Sequence, residues 1–151
     1  SAIDAGNEPI DEALAMFRER MAGRLARSGI AMDYRCMLPI PAPSLDVRRL
    51  LSLYRLLQEG IANAVRHASA TRIDLAVTSS DDGAILVILA DDGMGFEPAS
   101  AIGAAGEGRG LANMRRRAVQ MGGSLGIESA TGRGTQLTLA IPIAIAAGRR
   151  A

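Results

Sequence analysis

Lysine and tryptophan are absent from this chain, and cysteine and histidine occur once each. The single Cys36 excludes an internal disulfide and any cysteine-rich metal site. It lies in an apolar stretch, so a small buried residue is expected there. His67 has no second histidine and no cysteine beside it, which excludes a zinc site. Aromatic residues make up only 3% of the chain, so the core must be built from Leu, Ile, Val, Ala and Met. All 17 basic residues are arginine, and the net charge is +1. That balance argues against a surface that coats nucleic acid. The runs Arg115-Arg116-Arg117 and Arg149-Arg150 are short and read as solvated surface. No segment approaches the ~20 apolar residues that cross a bilayer. The best candidate, Leu137 to Ala147, is shorter and broken by Pro142. No basic-then-apolar signal opens the chain. A soluble piece of a reducing compartment is expected, and an opening at Ser1-Ala2 without Met suits an excised fragment.

At 151 residues the chain fits one domain able to bury a proper core. Residues 1–8 read as a loose lead-in, 9–143 as the domain and 144–151 as a tail. Pro9 can open a helix to about Ser28, with Leu14, Phe17, Met21 and Leu25 three or four apart. Gly29 ends it. Ile30 to Leu38 reads as a strand, stopped by Pro39, Pro41 and Pro43. Ser44 or Asp46 can cap a second helix to about Ala68. Its apolar face is Leu50, Tyr54, Leu57, Ile61, Val65 and Ala68, with Glu59, Asn63, Arg66 and His67 opposite. Thr71–Thr78 alternates as a strand. Ala84–Ala90 is continuously apolar, as a central strand covered on both faces would be. The Gly/Ala/Ser-rich stretch 96–108 reads as a mobile lid. A helix over Leu111–Met121 and strands over Ser124–Ser129 and Thr135–Ile143 complete the order. Strands do not alternate regularly with helices, so the prediction is a two-layer α/β sandwich: a mixed, mostly antiparallel sheet with helices on one face.

Three features carry chemistry. Asp91 ends a buried strand, where a carboxylate must find a donor, and an adenine amine is one. Gly93 and Gly95 follow, allowing a sharp turn and close approach. Asp-Gly is also a common turn pair, so alone it marks only a strand-to-loop turn. Gly106, Gly108 and Gly110 precede the helix expected from Leu111, and free N–H groups at a helix start attract phosphate oxygens. No strand leads into these glycines, and no Gly-Lys-Ser/Thr is present, so the dinucleotide and Walker patterns both fail. Asn63 offers a hard oxygen to Mg²⁺. Glu59 lies one turn before it, and Arg66 and His67 one turn after.

The order of these features resembles the ATP-binding catalytic domain of bacterial sensor histidine kinases. That domain belongs to the class shared with gyrase, MutL repair proteins and heat-shock chaperones. Gln58–His67 resembles the N box, Asp91–Gly95 the first glycine box and Gly106–Leu111 the second. Gly134-Thr135 resembles the terminal pair of the adenine pocket. Gln58-Glu59, Arg66-His67-Ala68 and Met114–Ala118 resemble the nitrate-sensor subfamily. The resemblance implies a Bergerat-type fold with three helices on one face of the sheet, and ATP and Mg²⁺ as ligands. It implies that Asn63 ligates Mg²⁺, Asp91 accepts from adenine and Thr135 supports adenine through water. Gly93, Gly95, Gly106, Gly108, Gly110 and Leu111 would shape the pocket. Arg66 and His67 would flank the phosphates, and Glu59 would assist transfer.

The same resemblance implies an upstream dimerisation and phosphoacceptor domain, absent here because His67 is followed by Ala68 and not by an acid. Autophosphorylation of the chain alone is therefore not expected. It also implies a response regulator with a helix-turn-helix output, no direct nucleic-acid contact and a homodimeric, membrane-anchored full-length protein whose catalytic domain is cytoplasmic. Two other readings fit the same fold: a regulatory nucleotide-binding module without chemistry, and an anti-sigma serine kinase.

Overall fold

The computed structural model describes residues 7–67, 69–96 and 107–142. Strand β1 (Asn7–Pro9) pairs antiparallel with β3 (Ser44–Asp46). Asn7 and Glu8, expected in a loose lead-in, are thus tied to the segment before the second helix. The Ile10 N–H donates to the Pro43 carbonyl at 2.9 Å, which satisfies a donor at the start of α1 (Ile10–Ala26). Ile10, Ala13, Leu14, Phe17, Met21 and Leu25 form the buried stripe of α1. The helix ends where Gly29 turns to φ +73°. There the Ile30 N–H reaches back to the Leu25 carbonyl at 3.0 Å and the Gly29 N–H to Ala26 at 3.1 Å, a Schellman closure.

Strand β2 (Ala31–Cys36) runs parallel to β4 (Arg72–Ser79), as a crossover helix between them permits. That helix is α2 (Val47–His67). Asp46 caps it, accepting from the Arg49 N–H at 2.8 Å. Strands β5 (Ile85–Asp91), β6 (Ser124–Ser129) and β7 (Thr135–Ile141) complete a five-stranded sheet in the order β2-β4-β5-β7-β6, antiparallel apart from the first pair. Helix α3 (Glu107–Gln120) precedes β6. It closes like α1: Gly122 has φ +76°, and the Gly123 N–H donates to the Ala118 carbonyl at 2.9 Å.

The three helices pack on one face of the sheet. Ile73, Leu75 and Val77 of β4, Ile85, Val87 and Leu89 of β5, and Leu137, Leu139 and Ile141 of β7 share one core with the helices. This is the sandwich the sequence predicts. Strand β5 is not covered on both faces, however. Leu86, Ile88 and Ala90 on its other face are only half-buried. Adjacent strands shield them laterally and no described helix lies over them.

Three further expectations are corrected. The buried arc of α2 is Leu50, Leu53, Leu56, Leu57, Gly60, Ile61 and Ala64. Val65 is exposed, and Tyr54 stacks on Phe17 with centroids 5.5 Å apart. The arc is rotated because α2 rests on the sheet with α1 on one flank and α3 on the other. Cys36 is exposed at the end of strand β2, which among the described residues has a neighbour on one side only. Helix α3 begins at Glu107 and not at Leu111. No described helix is long and apolar enough to cross a membrane.

Candidate functional site

Two constellations meet over the β5–β7 end of the sheet. The first is built on Asp91, the last residue of β5, paired in register with Thr135, the first of β7. The Gly93 N–H donates to Asp91 Oδ1 at 2.8 Å. Burial pushes the Asp91 carboxyl above its ordinary value, and the neighbouring Asp92 adds to the rise. The Gly93 and Thr135 N–H groups pull it back down. A half-buried carboxylate raised in this way favours a ligand that donates to it.

The loop after β5 is clamped to the β6–β7 turn. Gly95 has φ +68°, and a Cβ on it would lie 2.2 Å from the Ala130 carbonyl oxygen. The Gly132 N–H donates to the Met94 carbonyl. Gly134 has φ +75°, and a Cβ there would lie 2.2 Å from the Asp91 carbonyl oxygen. Both positions need glycine for backbone-to-backbone approach. Ser129, which the motif reading missed, is the hub of this clamp. Its hydroxyl donates to the Gly134 carbonyl at 3.0 Å and accepts from the Phe96 N–H at 2.8 Å. The Thr135 hydroxyl lies 2.8 Å away. With the Ser129 proton committed to Gly134, Thr135 donates to Ser129 and keeps its lone pairs free. The cross-strand register of Ser129 with Thr135 is the signal that could have found it.

Asp92 was also missed, though it sits beside Asp91. It accepts from the Thr71 N–H at 2.8 Å, the Thr71 hydroxyl at 2.6 Å and the Arg72 N–H at 3.0 Å. These bonds, the Thr71 hydroxyl foremost, hold its carboxyl below the ordinary range. Strand alternation sends neighbouring side chains to opposite faces. Asp92 therefore anchors the start of β4 while Asp91 takes the other side.

The second constellation joins α2 and α3. A Cβ on Gly110 would lie 3.0 Å from Glu59 Oε1 and 3.8 Å from Asn63 Nδ2. Glu59 and Asn63 thus face the first turn of α3, which carries Gly108 and Gly110. N–H groups of a first helical turn have no intrahelical partner. Beginning the helix at Glu107 therefore leaves the Gly108 amide without an intrahelical partner, whereas Gly110, the fourth helical residue, stands where the i to i−4 ladder begins. Gly60, next to Glu59, packs down on the sheet: a Cβ there would lie 2.8 Å from both Leu89 Cδ2 and Leu137 Cδ1. Leu89 and Leu137 each stand two residues from the Asp91–Thr135 pair, roughly 7 Å along the strands. Gly60 therefore brings the two constellations close together.

Other candidates lie elsewhere. Leu111 is buried in the core. Arg66 lines a groove between α1 and α2 together with Arg24, and is not seen beside Gly110. His67 ends α2, and its side chain is outside the description. Gly106 and residues 97–106 of the expected lid lie outside the described residues, as does the tail. The flanks of that lid are structured: Phe96 is bonded to Ser129, and Glu107 and Gly108 are helical. Among the described residues no three His, Cys, Asp or Glu side chains gather as a metal site. Mg²⁺ held by Asn63 would therefore need ligand oxygens, as that ion accepts readily.

Residues 49–145 match the histidine kinase-, DNA gyrase B- and HSP90-like ATPase family, and the chain belongs to that family. Within it, the chain resembles sensor histidine kinases. It is 37% identical over 95 residues to a sensor-like histidine kinase of Chloroflexus aurantiacus, covering 61% of this chain and 16% of that protein. It is 35% identical over 103 residues to the histidine-protein kinase/phosphatase UhpB of Salmonella typhimurium, covering 68% and 19%. The chain therefore spans under a fifth of the length of these relatives. Among solved structures, full-length ShkA in complex with AMPPNP has a TM-score of 0.73 at 28% identity, over 94% of this chain and 32% of that one. The ATP-binding domain of PrrB from Mycobacterium tuberculosis has a TM-score of 0.64 at 25% identity, over 90% and 95%. The fold is that of a histidine kinase ATPase domain.

Proposed function

We propose that this chain is the catalytic domain of a sensor histidine kinase, passing the γ-phosphoryl of ATP to a histidine on another domain and thence to a response regulator. The observation that carries this reading is the half-buried Asp91, fixed by Gly93 and Thr135 at the strand end with its carboxylate poised to accept. Asp91 takes the adenine amine, and Thr135 supports the ring through water. Gly93 supplies the N–H that fixes the Asp91 carboxylate. The Gly108 amide meets the phosphates, and Gly110 shapes the pocket by letting Glu59 and Asn63 approach. Asn63 holds Mg²⁺, which supplies charge neutralisation to the phosphates. Glu59, one turn away, orients the attacking group. His67 is read as flanking the phosphates; Arg66, which lines the groove between α1 and α2, is not. The nucleophile is not in this chain, because His67 lies on the site helix and no acid follows it. The full-length protein is read as a membrane-anchored homodimer with a cytoplasmic catalytic domain, and its regulator as one with a helix-turn-helix output.

The test is to mix the chain, γ-labelled ATP and a separately made histidine-bearing helical hairpin from the same full-length protein. Acid-labile, base-stable label on the hairpin is expected, and none on the chain alone. Nucleotide bound without any transfer would leave a regulatory module in place of a kinase.

A further inference from the structure

The Ser129 hydroxyl has one proton and three polar neighbours. It accepts from the Phe96 N–H at 2.8 Å. It lies 3.0 Å from the Gly134 carbonyl oxygen, which can only accept, so the Ser129 proton is spent there. Thr135 Oγ1 stands 2.8 Å away. A hydroxyl carries a single proton, so this contact requires Thr135 to donate to Ser129. Thr135 therefore has no proton left to give and presents lone pairs alone. Its cross-strand partner Asp91 already takes the Gly93 N–H at 2.8 Å, and an ionised carboxylate too can only accept. The side-chain polarity at this end of the site is thus of one kind.

We infer that Ser129 sets the base specificity of the nucleotide site proposed above, a reading on which this inference rests: by holding the Thr135 proton, it admits a 6-amino purine and rejects a 6-oxo purine. An exocyclic amine brings two hydrogens, which suit a pair of acceptors. A 6-oxo group brings only lone pairs and finds no donor on either side chain, and a buried acceptor left without a donor is costly. A bridging water keeps the same polarity, since a water that gives its protons to Thr135 and Asp91 turns its oxygen to the base. Ser129 acts at one remove from the base, as a positioning residue that works through the direction of one hydroxyl. Without it, the Thr135 hydroxyl is free to turn and donate to O6.

The probes are ADP and inosine diphosphate, each titrated into the chain with Mg²⁺ at neutral pH and read by calorimetry. Hypoxanthine carries an oxygen in place of the amine and, unlike guanine, adds no group at position 2. The parent is expected to prefer ADP. In Ser129→Ala, inosine diphosphate should bind more tightly than it does to the parent, and the ratio of ADP to inosine diphosphate affinity should fall about tenfold. Ser129→Thr keeps a hydroxyl and should keep the parent ratio. Ser129→Cys, near serine in size but a weak acceptor, should lower the ratio as Ser129→Ala does, and it serves where circular dichroism shows Ser129→Ala to be unfolded. Equal loss of both affinities in Ser129→Ala and Ser129→Cys would leave Ser129 a brace of the loop and overturn the inference, as would loss of the preference in Ser129→Thr. A parent that binds ADP without discriminating overturns the inference alone, whereas a parent that binds neither nucleotide overturns the nucleotide reading with it.

Discussion

At Gly134 the backbone sits at φ +75° with no room for a methyl group against the Asp91 carbonyl. Gly134→Ala therefore combines left-handed strain, about 1–3 kcal/mol, with separation of β5 from β7 at the adenine end. A thermal melt should show lower stability, and calorimetry should show lost nucleotide binding. Asp91 presents the opposite trade. Its raised pKa means that the ionised form is disfavoured in the fold. The stability attached to its protonated form is complete below the ordinary value of 3.8 and is lost as pH rises through the raised folded value. Asp91→Asn should then melt higher than the parent at neutral pH while binding ATP more weakly, the two melts converging in acid. A parent that melts at the same temperature as Asp91→Asn at pH 7 would deny that burial strains this carboxylate. Asn63→Ala should abolish the Mg²⁺ dependence of nucleotide affinity, measured by titration with and without the ion. Glu59, Asn63, Asp91 and the glycines after it stand out in local patterns. Ser129 and Asp92 do not, because their roles come from cross-strand register and a bond to a residue about twenty positions away, and neither leaves a local pattern.

Among the elements, α2 shows where periodicity succeeds and where it stops. Its two-sided character was legible, since the polar positions Glu59 and Asn63 fall away from the leucines. Its rotation was not, because the buried arc answers to neighbours on both flanks. Leu53, Leu56 and Ala64 are core for that reason, while Val65 turns out to the α1 groove. Glycine at position 60 lets the helix touch Leu89 and Leu137. Helix α3 starts a turn early because three glycines in five residues lower helix propensity without forbidding the conformation, and propensity alone misplaces its start. The β4–β5 edge depends on Asp92, whose bonds to Thr71 and Arg72 act as a cap on the incoming strand. Asp92→Ala should cost about 1 kcal/mol, a value held down by solvent exposure. Because that pKa is lowered, the contribution is present above 3.8 and disappears as pH falls through the folded value. Urea denaturation at pH 7 and pH 3 would show the variant and parent converging in acid.

For the whole molecule, the sandwich architecture followed from the irregular order of helices and strands, but which pair runs parallel, β2 with β4, did not. The strand order did not follow. Nothing local says that β7 enters between β5 and β6, since that choice rests on register between segments more than forty residues apart. The same insertion gives the chain a temporal constraint. Strand β6 has β7 as its only described partner, and β5 lacks its second neighbour until β7 arrives. During synthesis the sheet stays open at its centre until residues up to Ile141 have left the ribosome, and such long-range closure is slow. Thr135 and Gly134, which pin Asp91, arrive with that same strand. A nascent chain therefore cannot offer a finished adenine pocket before it can offer a finished fold, and early truncation products are denied nucleotide altogether.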